Sequence, residues 1–288
     1  MFRARGRVVA VGVGSVESFV SFDGISIAYR RWNGASDLPP VVLHHEFAAN
    51  HALTWIATGV VEALLRVGRT VIAVDARGHG LSDKPHEPAR YGARTLARDL
   101  SALVDDVKAE SVDLVGYGFG SVVALITASQ DVRVRRLVAA GVGAGAVEVG
   151  GVDTRGRDPR PLRSSRPTPA ETCEVEKNSL VQALQAPDAR GVADPGAREF
   201  RVYVDAVQGD RWALAAQLAA LHDDPIPLRR ITARTLVLAG SDDRLAARPE
   251  VLVHAIPKAL GRFVAGDHLS TLGNPEFRER IVEFLQVV

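Results

Sequence analysis

The chain predicts an α/β fold: a mostly parallel central sheet flanked by helices, with an inserted helical lid. Three observations carry this. Short apolar runs alternate with stretches of helical period along most of the 288 residues, as strand–helix–strand repeats require. An apolar run from Val112 to Val115 enters the glycine-rich turn Gly116-Tyr117-Gly118-Phe119-Gly120, and a helix-like stretch from Ser121 to Gln130 follows. The alternation then breaks between about 146 and 230, where helix-like stretches follow one another without strands.

Residues 18–22 and 25–31 read as an opening antiparallel hairpin around Asp23-Gly24. Val41–His44 reads as a buried strand, Ala52–Val67 as a helix, Thr70–Val74 as a strand, and Tyr91–Lys108 as an amphipathic helix. Arg136–Gly141, Thr235–Ala239 and Ala259–Val264 read as further strands, and Pro275–Leu285 as the closing helix. The break opens with Arg155, Arg157, Arg160, Arg163 and Arg166 among four prolines, a loop composition that suits a solvated hinge or an anion contact. Helices are expected at about 170–186, 195–208 and 210–222. The expected division is a core of 1–145 and 231–288 with a cap of 146–230.

Composition excludes several classes. Hydrophobic residues make up 47% and charged residues 24%, which suits a globular protein with ample core material. A net charge of +1 gives no electrostatic case for nucleic acid or an acidic membrane surface. The single cysteine, Cys173, excludes an intrachain disulfide and a cysteine-built zinc site. No apolar run approaches the roughly 18 residues that span a bilayer. Arg3, Arg5 and Arg7 before Val8–Val13 make only a poor signal peptide, so a cytoplasmic location is expected. The expected partner is a small molecule, with no cofactor, metal, nucleic acid or membrane; nothing in the sequence specifies an oligomeric state. His44 and His45 could ligate a metal, but no third ligand stands at a useful spacing.

The turn at 116–120 admits two readings. A dinucleotide-binding loop needs G-x-G-x-x-G, and here the last position is Ser121. The alternative is a nucleophile elbow, G-x-S-x-G, in which the middle residue attacks. Four landmarks in order resemble the α/β-hydrolase superfamily, closest to its small bacterial esterase, haloperoxidase-like and epoxide-hydrolase-like branch. They are Leu43-His44-His45-Glu46-Phe47, Asp75-Ala76-Arg77-Gly78-His79-Gly80-Leu81-Ser82-Asp83, the elbow at Gly116–Gly120, and the pair Gly240-Ser241-Asp242-Asp243 and Gly266-Asp267-His268.

The resemblance implies an α/β-hydrolase fold over nearly the whole chain. It implies that His268 is the general base, that Asp243 (or its neighbour Asp242) is the acid, and that Gly118 stands where the serine should be. Ser121 is rotated off the elbow tip and makes a poor substitute. The family usually has His-Gly in its oxyanion loop, and this chain has His45-Glu46. A carboxylate there opposes a developing oxyanion unless it points away or is protonated. His45, Phe47, Trp55, Tyr117, Phe119 and Trp212 are candidates for the pocket wall. Asp75, Arg77 and His79 read as a structural turn.

Three functions are compatible with these residues. The first is an enzyme without a serine that does acid–base chemistry through His268–Asp243 with Glu46 on a small, largely apolar carbonyl or hydroxyl compound. The second is a non-catalytic small-molecule binder. The third is a serine esterase or lactonase inactivated by replacement at 118.

Overall fold

The computed structural model describes residues 12–145, 178–220 and 225–286. The basic N-terminal run, the arginine- and proline-rich stretch at 155–169 and the first part of the helix expected at 170–186 lie outside the described residues.

Eight strands form one sheet in the order β1-β2-β4-β3-β5-β6-β7-β8. β1 (Ser15–Val20) and β2 (Ser26–Trp32) form the antiparallel hairpin, and β2 runs antiparallel to β4 (Val71–Val74). From β4 onward every pair is parallel, through β3 (Val41–His44), β5 (Val112–Tyr117), β6 (Val134–Ala140), β7 (Arg234–Gly240) and β8 (Ala259–Val264). β3, β4 and β5 are buried at every position. Covered on both faces, such strands read as continuous apolar runs, which is why they were visible in sequence.

Helices cover both faces. α1 (Val60–Arg66) and the closing helix pack Val60, Leu64, Phe277, Ile281 and Leu285 against one face, with Trp55. α2 (Ala93–Asp106) and α3 (Phe119–Gln130) pack Leu96, Leu100, Leu103, Val123 and Leu125 against the other. The lid follows as α4 (178–185), α5 (Pro195–Ala206) and α6 (Arg211–Ala219). Asp194 and Asp210 accept backbone N–H at the starts of α5 and α6. Each cap contributes about 1 kcal/mol. Leu184, Val204, Leu214 and Leu218 of the lid form one cluster with Ala48 of the β3 loop, and Phe47 and Phe200 pack against it. After β7 come α7 (Glu250–Ala255), β8, a helical turn at Ser270–Gly273 and α8 (Pro275–Gln286).

Several boundaries differ from the sequence reading. The first strand is Ser15–Val20 rather than 18–22, because pairing with β2 ends at the Ser26 register. The expected helix at Ala52–Val67 divides into a π-helical turn, Ala52–Ile56, and α1. Gly59, with φ +76°, stands between them at the start of α1. The expected helix at Ser121 starts two residues earlier, at Phe119, directly after the turn.

Candidate active site

The site forms at the carboxyl ends of β3, β5, β7 and β8, where loops of a parallel sheet converge. Gly118 links β5 to α3 with φ +50° and ψ −117°, a conformation that costs a residue with a side chain about 1–3 kcal/mol. Its neighbours are confined: a Cβ on Gly116 would lie 2.4 Å from the Gly120 carbonyl oxygen, and one on Gly120 would lie 2.4 Å from those of His44 and His45. Ser121 is fully buried, and its hydroxyl donates to the Ala140 carbonyl at 2.7 Å, which removes it as a nucleophile.

The space above Gly118 holds the Glu46 carboxylate. A Cβ on residue 118 would fall 1.2 Å from Glu46 Oε2. Oε1 accepts backbone N–H from Phe47 at 2.5 Å and from Phe119 at 3.2 Å. Oε2 is 3.0 Å from His268 Nε2. The carboxylate does not point away, as one sequence alternative had it. It occupies the donors aimed at the elbow, where its charge is stabilised by them rather than opposed to another anion. The same contact disposes of the dinucleotide reading, because the first N–H of α3 is engaged by Glu46 rather than open to a phosphate.

His268 bridges two carboxylates. Its Nδ1 donates to Asp243 Oδ2 at 2.8 Å, and the Asp243 side chain is completely buried. Asp243 Oδ1 accepts the N–H groups of Leu245 and Ala246, so the turn reading and the triad reading are both satisfied by one residue. Asp242 instead accepts from the Ser241 hydroxyl on the exposed side of the turn, which selects Asp243 as the partner of the histidine. Burial of the His268 ring opposes its charge, but the hydrogen bonds it donates to both carboxylates and their negative charges outweigh it. The imidazole is raised to about 9 and is an imidazolium at neutral pH. The Glu46 and His268 side chains remain 19% and 16% exposed.

The supports are built from buried polar groups. Tyr117 is completely buried; its hydroxyl donates to the His268 carbonyl and its ring packs 5.0 Å from the imidazole. It backs the histidine rather than lining a pocket, a correction to its candidacy as a ligand contact. His45 is corrected likewise: Nδ1–H donates to the Glu46 carbonyl at 2.6 Å, while Nε2 accepts the Ala76 N–H at 3.0 Å. It is buried, and burial holds it well below the usual histidine range, hence neutral. His79 Nε2 accepts the Ala48 N–H, and burial lowers it to about 4. The loop at 45–48 is therefore pinned from the Asp75–Asp83 turn on both sides of Glu46. Arg77 anchors that turn through Asp99 and Asp23, consistent with its structural reading.

The backbone N–H groups of Phe47 and Phe119 hold the carboxylate; their ring centroids are 6.4 Å apart, and Phe47 stacks on Phe200 of α5. Trp212 is 48% exposed at the start of α6, whose buried face begins at Ala213. Sequence reasoning missed Phe200 and Tyr203. The Tyr203 hydroxyl is raised by burial and then by the Glu46 charge, so α5 brings a phenol within electrostatic range of the carboxylate. Among the described residues, a cavity of about 400 Å³ lined by residues including His51, Asp75, Lys84 and Leu214 lies beside this site and does not include Glu46 or His268. No group of residues suited to a metal ion occurs among the described residues. No helix among them is long and apolar enough to cross a membrane.

Comparison with known proteins agrees with the architecture. A family profile described as alpha/beta hydrolase fold matches residues 39–275. The chain is 30% identical over 212 residues to 2-hydroxy-6-oxo-2,4-heptadienoate hydrolase of Pseudomonas putida, covering 72% of each chain. It is 35% identical over 116 residues to the sn-1-specific diacylglycerol lipase ABHD11 of Danio rerio, which is 40% of this chain but only 35% of that protein. A hydrolase from Pseudomonas aeruginosa PA01 superposes with a TM-score of 0.72 at 27% identity, over 95% of this chain and 99% of that one.

Proposed function

The chain belongs to the alpha/beta hydrolase family, and from that premise we propose an enzyme that works without a serine nucleophile. Glu46, His268 and Asp243 form its catalytic set, and Gly118 vacates the nucleophile's place so that the Glu46 carboxylate can fill it. The observation that carries this is the double engagement of Glu46: one oxygen on two backbone N–H groups, the other on His268.

The set does acid–base chemistry on a small, largely apolar molecule. His268 supplies a proton held between two carboxylates, and Asp243 fixes the ring. The phenylalanines around Glu46 favour an apolar or aromatic substrate. A substrate carbonyl cannot use the Phe47 and Phe119 N–H groups while Glu46 holds them, which favours hydroxyl or ether chemistry over the carbonyl alternative. Two observations weigh against the other readings. A binder has no use for a buried aspartate orienting a histidine, and a serine esterase that merely lost its nucleophile would not need a carboxylate in its place.

The test is product analysis by mass spectrometry after incubation with aryl esters, lactones, hydroxy ketones and aryl epoxides. His268→Ala is expected to reduce turnover by about 10²–10⁴-fold, with a smaller effect on substrate binding. Turnover that persists in Glu46→Gln/His268→Ala would end this reading.

A further inference from the structure

Independently of that reading, we propose that the cavity beside the catalytic set is a second binding site, and that its ligand is a carboxylate on an aliphatic tail. The cavity is about 400 Å³, within the roughly 300–1,000 Å³ of small-molecule sites. It lies at the seam between core and lid. Arg30 of β2, His51 and Lys84 line it from the core, and Val207, Gly209 and Leu214 line it from the lid. Neither Glu46 nor His268 lines it.

The cations of the wall are incompletely paired. Arg30 Nε is buried and has no hydrogen-bond partner among the described residues. Lys84 Nζ donates to the Gly80 and Ser82 carbonyls at 2.7 and 2.8 Å, which leaves one of its three protons. The two acids of the wall, by contrast, are already engaged. Asp75 Oδ1 accepts the backbone N–H and the Nδ1–H of His51, and Oδ2 accepts the Leu81 N–H. Asp210 accepts from His86 and from the N–H groups that open α6. A buried donor without an acceptor costs stability, and an anion in the cavity removes that cost. A carboxylate meets a guanidinium with paired, charge-assisted hydrogen bonds. One negative charge suits this wall better than a phosphate dianion, because Asp75 and Asp210 stand in it.

The rest of the lining selects the tail. Leu53, Ile56 and Leu81 line the cavity yet are 39%, 38% and 60% exposed, so an apolar occupant covers surface that the fold leaves in water. Val207 and Leu214 add aliphatic surface from the lid. No phenylalanine, tyrosine or tryptophan lines the cavity among the described residues, which favours a chain over an aromatic ring. The occupant also rests against the loop that carries Glu46, because Ala48 and His79 both line the cavity and the Ala48 N–H donates to His79 Nε2. A ligand that touches core and lid together binds the folded chain alone and raises its melting temperature.

The test is calorimetric titration of the full chain with octanoate, beside acetate, 1-octanol and octyl phosphate. Octanoate is expected to bind saturably at one site, with acetate and 1-octanol each at least about tenfold weaker, the scale of one charge-assisted hydrogen bond or of a buried short chain. Arg30→Gln should weaken octanoate by at least about tenfold, and His268→Ala should leave its affinity unchanged. Leu81→Asp, at an exposed position, should weaken it as well and serves as a second variant should Arg30→Gln fail to fold. Equal binding of 1-octanol and octanoate would overturn the anionic head, and tighter binding of octyl phosphate would overturn its assignment as a carboxylate. Octanoate affinity lost in His268→Ala but kept in Arg30→Gln and Leu81→Asp would move the ligand to the catalytic set and overturn the second site. Absence of saturable octanoate binding would overturn the proposal and leave the acid–base reading untouched.

Discussion

Gly118→Ser alone is expected to lower stability by on the order of 3 kcal/mol and to yield little esterase activity. A side chain at 118 would sit 1.2 Å from Glu46 Oε2, so the carboxylate must leave its place. It then loses two backbone N–H bonds and the His268 contact, and the new residue inherits the φ +50° conformation. The displaced negative charge stays beside the donors that an acyl-transfer oxyanion would need. Gly118→Ser combined with Glu46→Gly clears them. Losing a single oxyanion-hole donor costs about 10²–10³-fold in a model enzyme. The double variant should therefore exceed the single one by at least about 100-fold on p-nitrophenyl acetate. It should also react with a fluorophosphonate, which the native protein should not. Equal rates for the two variants would show that Glu46 does not obstruct the oxyanion site.

Glu46→Gln is expected to lower turnover by at least about 100-fold while leaving the fold intact. The amide oxygen can keep the Phe47 and Phe119 N–H groups satisfied, so the loss of stability should be confined to the broken Glu46–His268 ion pair. Its amide nitrogen can only donate toward His268, the charge that holds the imidazole proton is lost, and the amide does not accept a proton. Kinetics beside a thermal melt check this. A matching loss of stability and activity would mark Glu46 as a structural residue.

The sequence made the sheet legible because β3, β4 and β5 are covered on both faces and so carry unbroken apolar runs. The elbow was legible from glycine spacing alone, since Gly116 and Gly120 sit where any Cβ would meet backbone. Asp243 and Asp242 could not be separated in sequence. Adjacent residues of one turn face opposite sides, and only the turn's orientation decides which meets His268. The destination of Glu46 was hidden for a similar reason: it depends on three segments, at 46, 118 and 268, converging in space. A signal was nevertheless present, because glycine at 118 and glutamate at 46 both depart from the motif that the sequence resembles. Tyr117 and His45 are buried supports, and an aromatic or histidine beside a motif reads the same whether it touches ligand or holds up the residue that does.

The central claim is that the Glu46 carboxylate and His268 act as one electrostatic unit over Gly118. NMR titration of the His268 ring in the wild type and in Glu46→Gln tests it directly. The folded value of about 9 stands above the ordinary 6.5. The associated stability is therefore fully present below about pH 6.5 and is lost as the pH rises through about 9. The wild-type ring should titrate near 9, and the Glu46→Gln ring clearly lower, since Asp243 alone remains to oppose burial. The stability advantage of wild type over Glu46→Gln should shrink across the same interval. A His268 titration unchanged by Glu46→Gln would contradict the account.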